Sequence, residues 1–426
     1  MQEVCFQIAR RHIYFINMNF SDELVWRGFV NQTTYKDISI LDREQIHFYW
    51  GVDPSAPSMT VGNLAAAMMV RKFMQQGHKA TLLIGGATGL IGDPDGKTEE
   101  RTLKSKDEVD HNKHALVQQY KRLFDGYKFD VVDNYDWFKH VGYLDFLRDV
   151  GKHVPMRQML GRDFVQSRIS EEGGGISYAE FSYVLIQAYD FLHLNQKKGV
   201  SLQLCGSDQW GNSIAGVELI RRIAGQEAHV WSLPLVVNKA TGKKFGKSEE
   251  GAVWLDEKMT SAYRFYQFWL NVDDNGAEEY LKIYTELPKH EIEVAMAEFN
   301  SNRGNRLAQR VLAYEVTKLV HGKKRADEVA KVTDVLFSDG NFLELEKDEK
   351  MLLKEELGCV KDTGDLVEVL VSSGLATSKK EARMFLASGA IYVNSQKAGP
   401  DNLHLFVPGL NLVKRGKNSF ALVEKK

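Results

Sequence analysis

Residues 46–86 read IHFYWGVDPSAPSMTVGNLAAAMMVRKFMQQGHKATLLIGG. IHFYWGVD (46–53) reads as a strand, PSAPSMTV as a loop, the run from about Gly62 as a helix, and KATLLIGG (79–86) as a second strand. A strand, a crossover helix and another strand form a βαβ unit, right-handed by rule and so part of a parallel sheet. Further strands are expected at FDVVDN (129–134), SLQLCG (201–206) and HVWSLPLVV (229–237), with helical stretches between them. The expected fold class is α/β, a Rossmann-like doubly wound parallel sheet.

Beyond about residue 260 the period changes. SAYRFYQFWL, AEEYLKIYTEL, RLAQRVLAYEVTKLVHG and ADEVAKVTDVLF repeat apolar residues every 3.6 positions, so an all-helical domain is expected over 260–345. The charged stretch within 346–360 is expected as a linker, and 361–426 as a small separate unit of two short helices and a strand pair. Residues 1–17 are expected as an N-terminal extension, with Met18 as the functional start, leaving 18–259 to the α/β domain.

The chain is 43% hydrophobic and 26% charged over 426 residues, which excludes a disordered chain and leaves room for two or three cores. No apolar run reaches the roughly 18–20 residues of a membrane span. Three scattered cysteines without a CxxC pair support neither a disulfide framework nor a zinc site, which suits a reducing cytoplasm. Net charge is −2, but 361–426 carries ten Lys and Arg against six Asp and Glu. A basic appendage on an acidic body fits an RNA contact as well as it fits a solvated surface.

Five stretches carry chemistry. In an open parallel sheet ligands bind beyond the carboxyl ends of the strands, and the loop before the first helix offers small residues and free N–H groups to a phosphate. KKFGKSEEG (243–251) brings Lys244 and Lys247 around a glycine, suited to charge developing on a polyphosphate. GGATGLIGDPDGKTEER (85–101) combines glycines with Asp93, Lys97 and Arg101, and LQLCGSDQWGN (203–212) ends a strand in Asp208 and Gln209. In SYVLIQAYDF (182–191), Tyr183, Gln187 and Asp190 fall at i, i+4 and i+7, one polar stripe on an otherwise apolar helix. Taken singly, each also fits an ordinary turn, a solvated loop, a cap or a satisfied core network.

Taken in order they resemble the bacterial-type tyrosyl-tRNA synthetases, class I enzymes. Thr60-Val61-Gly62-Asn63 stands where the class has its HIGH signature, and Lys244-Phe245-Gly246-Lys247-Ser248 where it has KMSKS. GGATGLIGDP, FSYVLIQAYDF and GSDQWGN resemble family blocks nearly letter for letter, and the resemblance spans roughly 20–426. It implies that Tyr49 and Asp190 bind the hydroxyl of a tyrosine substrate, and that Tyr183, Gln187 and Asp93 bind its α-amino group, with Gln203 supporting the pocket. Gly51, Asp53, Ser55, Gly62, Gly206, Asp208 and Gln209 would line the ATP side above Thr88. Thr60, Asn63, Ser55, Lys97, Arg101, Lys244 and Lys247 would meet the pyrophosphate.

The implied reaction needs no protein nucleophile: tyrosine carboxylate attacks the α-phosphorus of ATP, and a tRNA ribose hydroxyl then attacks the adenylate. Magnesium would arrive with ATP, with no dedicated metal site and no tightly bound cofactor. The tail (365–396) resembles an RNA-binding module shared with a ribosomal small-subunit protein, which implies tRNA contact by Lys379, Lys380 and Arg383. A homodimer is implied as well. The chain departs from the family at Thr60, where the signature has histidine; a hydroxyl is expected to give one donor to phosphate with less reach. Two other readings stand beside this one. A tryptophan-specific relative suits the Tyr49–Asp190 pair less well than a phenol does, and a non-catalytic RNA-binding protein on the same scaffold rests on Thr60 alone.

Overall fold

Two units form in the computed structural model, which describes residues 18–94, 103–161, 163–170, 175–248, 251–338, 340–399 and 405–426. One unit runs to Thr260 and takes in Asn271–Leu312; the other is Ser261–Leu270 with Ala313–Lys426. The expected extension over 1–17 lies outside the described residues.

The first unit is built on β1 (Gln32–Thr33), β2 (His47–Val52), β3 (Lys79–Ile84), β4 (Phe129–Asp133), β5 (Leu202–Gly206) and β6 (His229–Leu233). Their order is β1-β6-β5-β2-β3-β4, all parallel except β1, which runs antiparallel on the β6 edge. β3, β5 and β6 are buried along nearly their whole length, so they read as continuous apolar runs rather than alternating ones. β6 ends before the expected 237 because Pro234 has no N–H to give the ladder.

From β2 the chain moves outward to β3 and β4, then returns to lay β5 on the other side of β2. The strand order therefore reverses between β2 and β5, where an open α/β sheet opens its ligand crevice. Register sharpens the point. Tyr49 of β2 lies opposite Gln203 of β5, so the two share one face of the sheet.

Helix α1 (Val61–Gln75) crosses from β2 to β3 and is buried on almost every side. Its small Ala65-Ala66-Ala67 run permits close packing, and Phe73 meets Phe20 edge to face at 5.1 Å. The other helices that frame the crevice are α2 (Lys106–Leu123), α3 (Tyr178–Lys198) and α4 (Trp210–Ile223). Ser177 caps the start of α3 and Gly199, in the left-handed region, ends it.

Helix α5 (Ala277–Tyr284) corrects the expected domain boundary at 260. It packs on α1, and the buried Arg27 donates to the carbonyls of Lys282, Thr285 and Leu287 at 2.7–2.9 Å. Periodicity shows a helix but not what it packs against, so sequence alone assigns 271–312 to a separate helical domain.

In the second unit the expected linker over 346–360 is instead helix α6 (Lys347–Leu357) followed by β7 (Cys359–Lys361). Its charges are structural: Glu346 and Glu349 form the capping box, Glu349 also holds Lys331 at 2.8 Å, and Leu352 and Leu353 are buried. The expected strand pair is a five-stranded sheet. Its order is β9 (Gln396–Lys397), β8 (Ile391–Val393), β10 (Gly409–Arg415), β11 (Ser419–Lys425) and β7. Helices α7 (Leu366–Ser372) and α8 (Lys379–Ser388) accompany it. Among the described residues no helix is long and apolar enough to cross a membrane.

Candidate active site

A cleft of about 860 Å³ opens at the β2–β5 reversal, lined from both strand ends, the 85–93 loop, α3 and the 244–245 loop. Tyr49, Gly51, Asp53, Ser55, Thr60, Gly62, Asn63, Asp93, Tyr183, Gln187, Asp190, Gln203, Gly206, Asp208, Gln209 and Lys244 all line it. Thr88 lines it too. Lys97 and Arg101 lie outside the described residues, as does the side chain of Lys247. Lys379, Lys380 and Arg383 are exposed on α8 in the second unit, with Lys379 paired to Glu368 at 2.8 Å.

Asp190 is 2% exposed, and burial pushes its carboxyl well above the usual carboxylate range. Both oxygens are held: Asn134 Nδ2 donates to Oδ2 at 3.0 Å and Trp137 Nε1 to Oδ1 at 2.9 Å. Asn134 also donates to Thr88 Oγ1 at 3.1 Å while its Oδ1 accepts from the Ala87 N–H at 2.6 Å. The Thr88 hydroxyl donates to Asp53 Oδ1 at 2.6 Å, and the Tyr183 hydroxyl donates to Asp53 Oδ2 at 2.7 Å. One chain of hydrogen bonds thus runs from Tyr183 through Asp53, Thr88 and Asn134 to Asp190. Gly85 is required beneath it, since a Cβ there would collide with Asp53 and Thr88.

Asn134 and Trp137 escaped the sequence reading. Their segment, DNYDW (133–137), looks like a strand end and a turn. The one available signal is position, because a polar residue just past a parallel strand faces the crevice.

Three buried polar atoms in the lining, the Tyr49 hydroxyl, Gln187 Oε1 and Gln203 Oε1, find no hydrogen-bond partner among the described residues. Leaving such a group unmatched costs about 1–3 kcal/mol, so clustering three of them in one cleft marks a place for a polar ligand. Tyr49 packs its ring on Phe191 at 5.2 Å, and burial, then the nearby Asp190, raises its phenol pKa.

At the other end of the cleft Thr60 is the N-cap of α1. Its N–H and its hydroxyl both donate to Asn63 Oδ1 at 2.9 Å. The hydroxyl proton is therefore engaged within the loop, and the carboxamide nitrogen of Asn63 is the donor turned away from that bond. Gln209 Nε2 donates to Asp93 and Asn212 Nδ2 to Gln209 Oε1, while Lys244 Nζ lies 3.4 Å from Asp208. Among the described residues no cluster of three His, Cys, Asp or Glu side chains could hold a metal ion.

Residues 41–338 match the family model of class I tRNA synthetases (W and Y), and 355–423 match the tyrosine–tRNA ligase C-terminal domain. The tyrosine–tRNA ligase of Geobacillus kaustophilus is 44% identical over 95% of this chain and 99% of its own length. That of Lactococcus lactis subsp. lactis is 45% identical over 89% and 92%. Among solved structures, a C-terminally truncated mitochondrial tyrosyl-tRNA synthetase of Aspergillus nidulans is 33% identical with a TM-score of 0.67, covering 79% of this chain and 97% of that one. The chain belongs to the class I aminoacyl-tRNA synthetases, in the group that handles tryptophan and tyrosine. Within that group its relatives place it with the bacterial-type tyrosyl-tRNA synthetases, and its activity is the ATP-dependent ligation of tyrosine to tRNA. The tryptophan-specific and the non-catalytic readings are not favoured by these relatives.

Proposed function

We propose that the cleft holds tyrosine with its phenol between Tyr49 and Asp190 and its α-ammonium among Tyr183, Gln187 and Asp93. The observation that carries this is a buried carboxyl, fixed at both oxygens, close to an unmatched tyrosine hydroxyl. Because the Tyr183 hydroxyl donates its hydrogen bond to Asp53, its oxygen lone pairs are left to accept from an incoming N–H donor. Gln203, in register with Tyr49, supports the aromatic slot.

ATP, entering with magnesium, lies across Gly51, Asp53, Ser55, Gly62, Gly206, Asp208 and Gln209. The α1 N-terminus and Asn63 face its phosphates, while Thr60 fixes Asn63. Lys97, Arg101, Lys244 and Lys247 take the charge that accumulates on departing pyrophosphate. Catalysis is positioning and electrostatic stabilisation of an in-line attack by the substrate carboxylate. Equilibrium dialysis tests the tyrosine side. Tyr49→Phe and Gln187→Ala should each weaken tyrosine binding by about tenfold, the worth of one buried hydrogen bond. Unchanged affinity in both would remove them from the pocket.

The tRNA reaches the enzyme through the basic face of α8, where Lys379, Lys380 and Arg383 are exposed. A second copy of the chain covers the apolar surface of the first unit. Tyr143, Leu144, Met156 and Tyr178 are 57–77% exposed there, and the Tyr143 and Tyr178 hydroxyls lie 3.5 Å apart. Sedimentation of the chain at micromolar concentration should give a dimer. The described cysteines, Cys205 and Cys359, are free thiols, which suits work in the cytoplasm.

A further inference from the structure

The cationic loop needs a fixed base if its lysines are to meet a transition state within a fraction of an ångström. Its anchor on α5 lies outside the stretches that carry chemistry. Residues 236–245 form a hairpin: Val237 bridges Lys244, the Phe245 N–H donates to the Val236 carbonyl at 2.9 Å, and the Asn238 N–H donates to that of Lys243 at 2.8 Å. Tyr280, on α5, grips both sides of it. Its ring stacks on Phe245 at 4.3 Å and 25°, and its hydroxyl donates to the Val237 carbonyl at 3.0 Å. Phe245 is 5% exposed and also faces Tyr284 at 5.8 Å.

Two further features fix the geometry. Gly276, at the start of α5, is bare where a Cβ would strike the Tyr280 ring. Lys239, at the hairpin turn, pairs with Glu279 on α5 at 2.6 Å. On its far side the loop is fastened to the first signature. Gly246 adopts φ +96°, its carbonyl accepts from the Val253 N–H at 3.0 Å, and the Val253 carbonyl accepts from the Val61 N–H at 2.9 Å. A side chain at 246 would press on the backbone nitrogen of Gly62, so glycine at 246, with its positive φ, lets the loop close on the helix start. Phe245 thus sits between Lys244 and a backbone seam running to Thr60 and Asn63.

We infer that Tyr280 is a positioning residue for tyrosyl-adenylate formation, holding the loop of Lys244 and Lys247 at the mouth of the cleft. It touches none of the reacting atoms and acts through Phe245 and Val237. The inference rests on the reading of Lys244 as a polyphosphate group.

Tyrosine-dependent ATP–pyrophosphate exchange by the full-length chain tests it, alongside equilibrium tyrosine binding. Tyr280→Leu removes both ring and hydroxyl and should lower kcat by about tenfold or more with tyrosine affinity held within about twofold. Tyr280→Phe keeps the stack and should recover most of the rate. In a Lys244→Ala background the Tyr280→Leu change should cost less than about threefold, because the loop it positions has lost its charge. If the two losses multiply in full, if tyrosine affinity falls in step with kcat, or if Tyr280→Leu exchanges at the wild-type rate, the positioning role is wrong. If Lys244→Ala itself exchanges normally, the reading of the loop fails first and the inference with it. Should Tyr280→Leu not fold, Phe245→Leu breaks the same stack from the loop side and carries the same expectations.

Discussion

Asp190→Asn changes one oxygen into an NH₂ group and leaves the volume of the pocket intact. In the native site both carboxyl oxygens accept, one from Asn134 and the other from Trp137. The amide of the variant can satisfy one of them and must turn its own donor toward the other, whichever way it flips. A buried hydrogen bond is worth about 0.5–1.5 kcal/mol, and a stranded buried donor costs about 1–3 kcal/mol. The variant should therefore lose on the order of 2 kcal/mol of stability in urea unfolding. The substrate phenol, which needs the same group, should lose about 10- to 100-fold in kcat/KM for activation. Phenylalanine presents no hydroxyl there, so its slow activation should be nearly unaffected, and the preference for tyrosine should fall by the same factor. Pyrophosphate exchange with each amino acid, beside a denaturant melt, separates the two effects. A variant that is destabilised yet keeps its full preference for tyrosine would refute the placement of the phenol at Asp190.

Thr60→Ala should cost about 1 kcal/mol through the lost cap and change adenylate formation by only a few-fold, whereas Asn63→Ala should lower its kcat by about 10- to 100-fold. Stopped-flow activation kinetics giving the reverse order would show that the hydroxyl itself meets the phosphate. Lys380→Ala with Arg383→Ala should raise KM for tRNA several-fold at low salt, by a factor that shrinks as salt rises, and leave pyrophosphate exchange unchanged; unaltered charging across a salt series would exclude α8 as a contact. His78 accepts the Ile46 N–H on Nδ1 at 3.1 Å, and burial lowers its pKa to about 4. The folded value lies below the unfolded one, so its stabilisation is complete above about pH 6.5 and is lost as pH falls toward 4, on the order of 3 kcal/mol. Urea unfolding at pH 7 and 4.5 should show a smaller drop for His78→Gln than for the wild type; equal drops would contradict this.

The sheet was legible because a central parallel strand is buried on both faces and is apolar along most of its length, as TLLI within KATLLIGG is. The polar stripe of α3 was legible because helical geometry alone stacks Tyr183, Gln187 and Asp190. What stayed hidden depends on partners far away in the chain. Asn134 and Trp137 belong to the site only because β4 ends beside a helix that starts more than forty residues later. Tyr280 reads as one more apolar position of an amphipathic helix until α5 is seen against the loop hairpin. The charged stretch at 346–357 looked like a linker because its acidic residues serve a cap and an ion pair that composition does not reveal. Thr60 lies between these cases. The Thr-x-x-Asn spacing is that of a capping box, a local signal, but its bearing on phosphate binding shows only in where the hydroxyl proton goes.

Amino-acid-dependent ATP–pyrophosphate exchange by the unmodified chain, run in parallel with tyrosine, phenylalanine and tryptophan, tests the assignment of the cleft most directly. Exchange should require tyrosine, with phenylalanine and tryptophan slower by orders of magnitude. Exchange that proceeds as fast with tryptophan, or that fails with tyrosine in a folded protein supplied with ATP and magnesium, would contradict it.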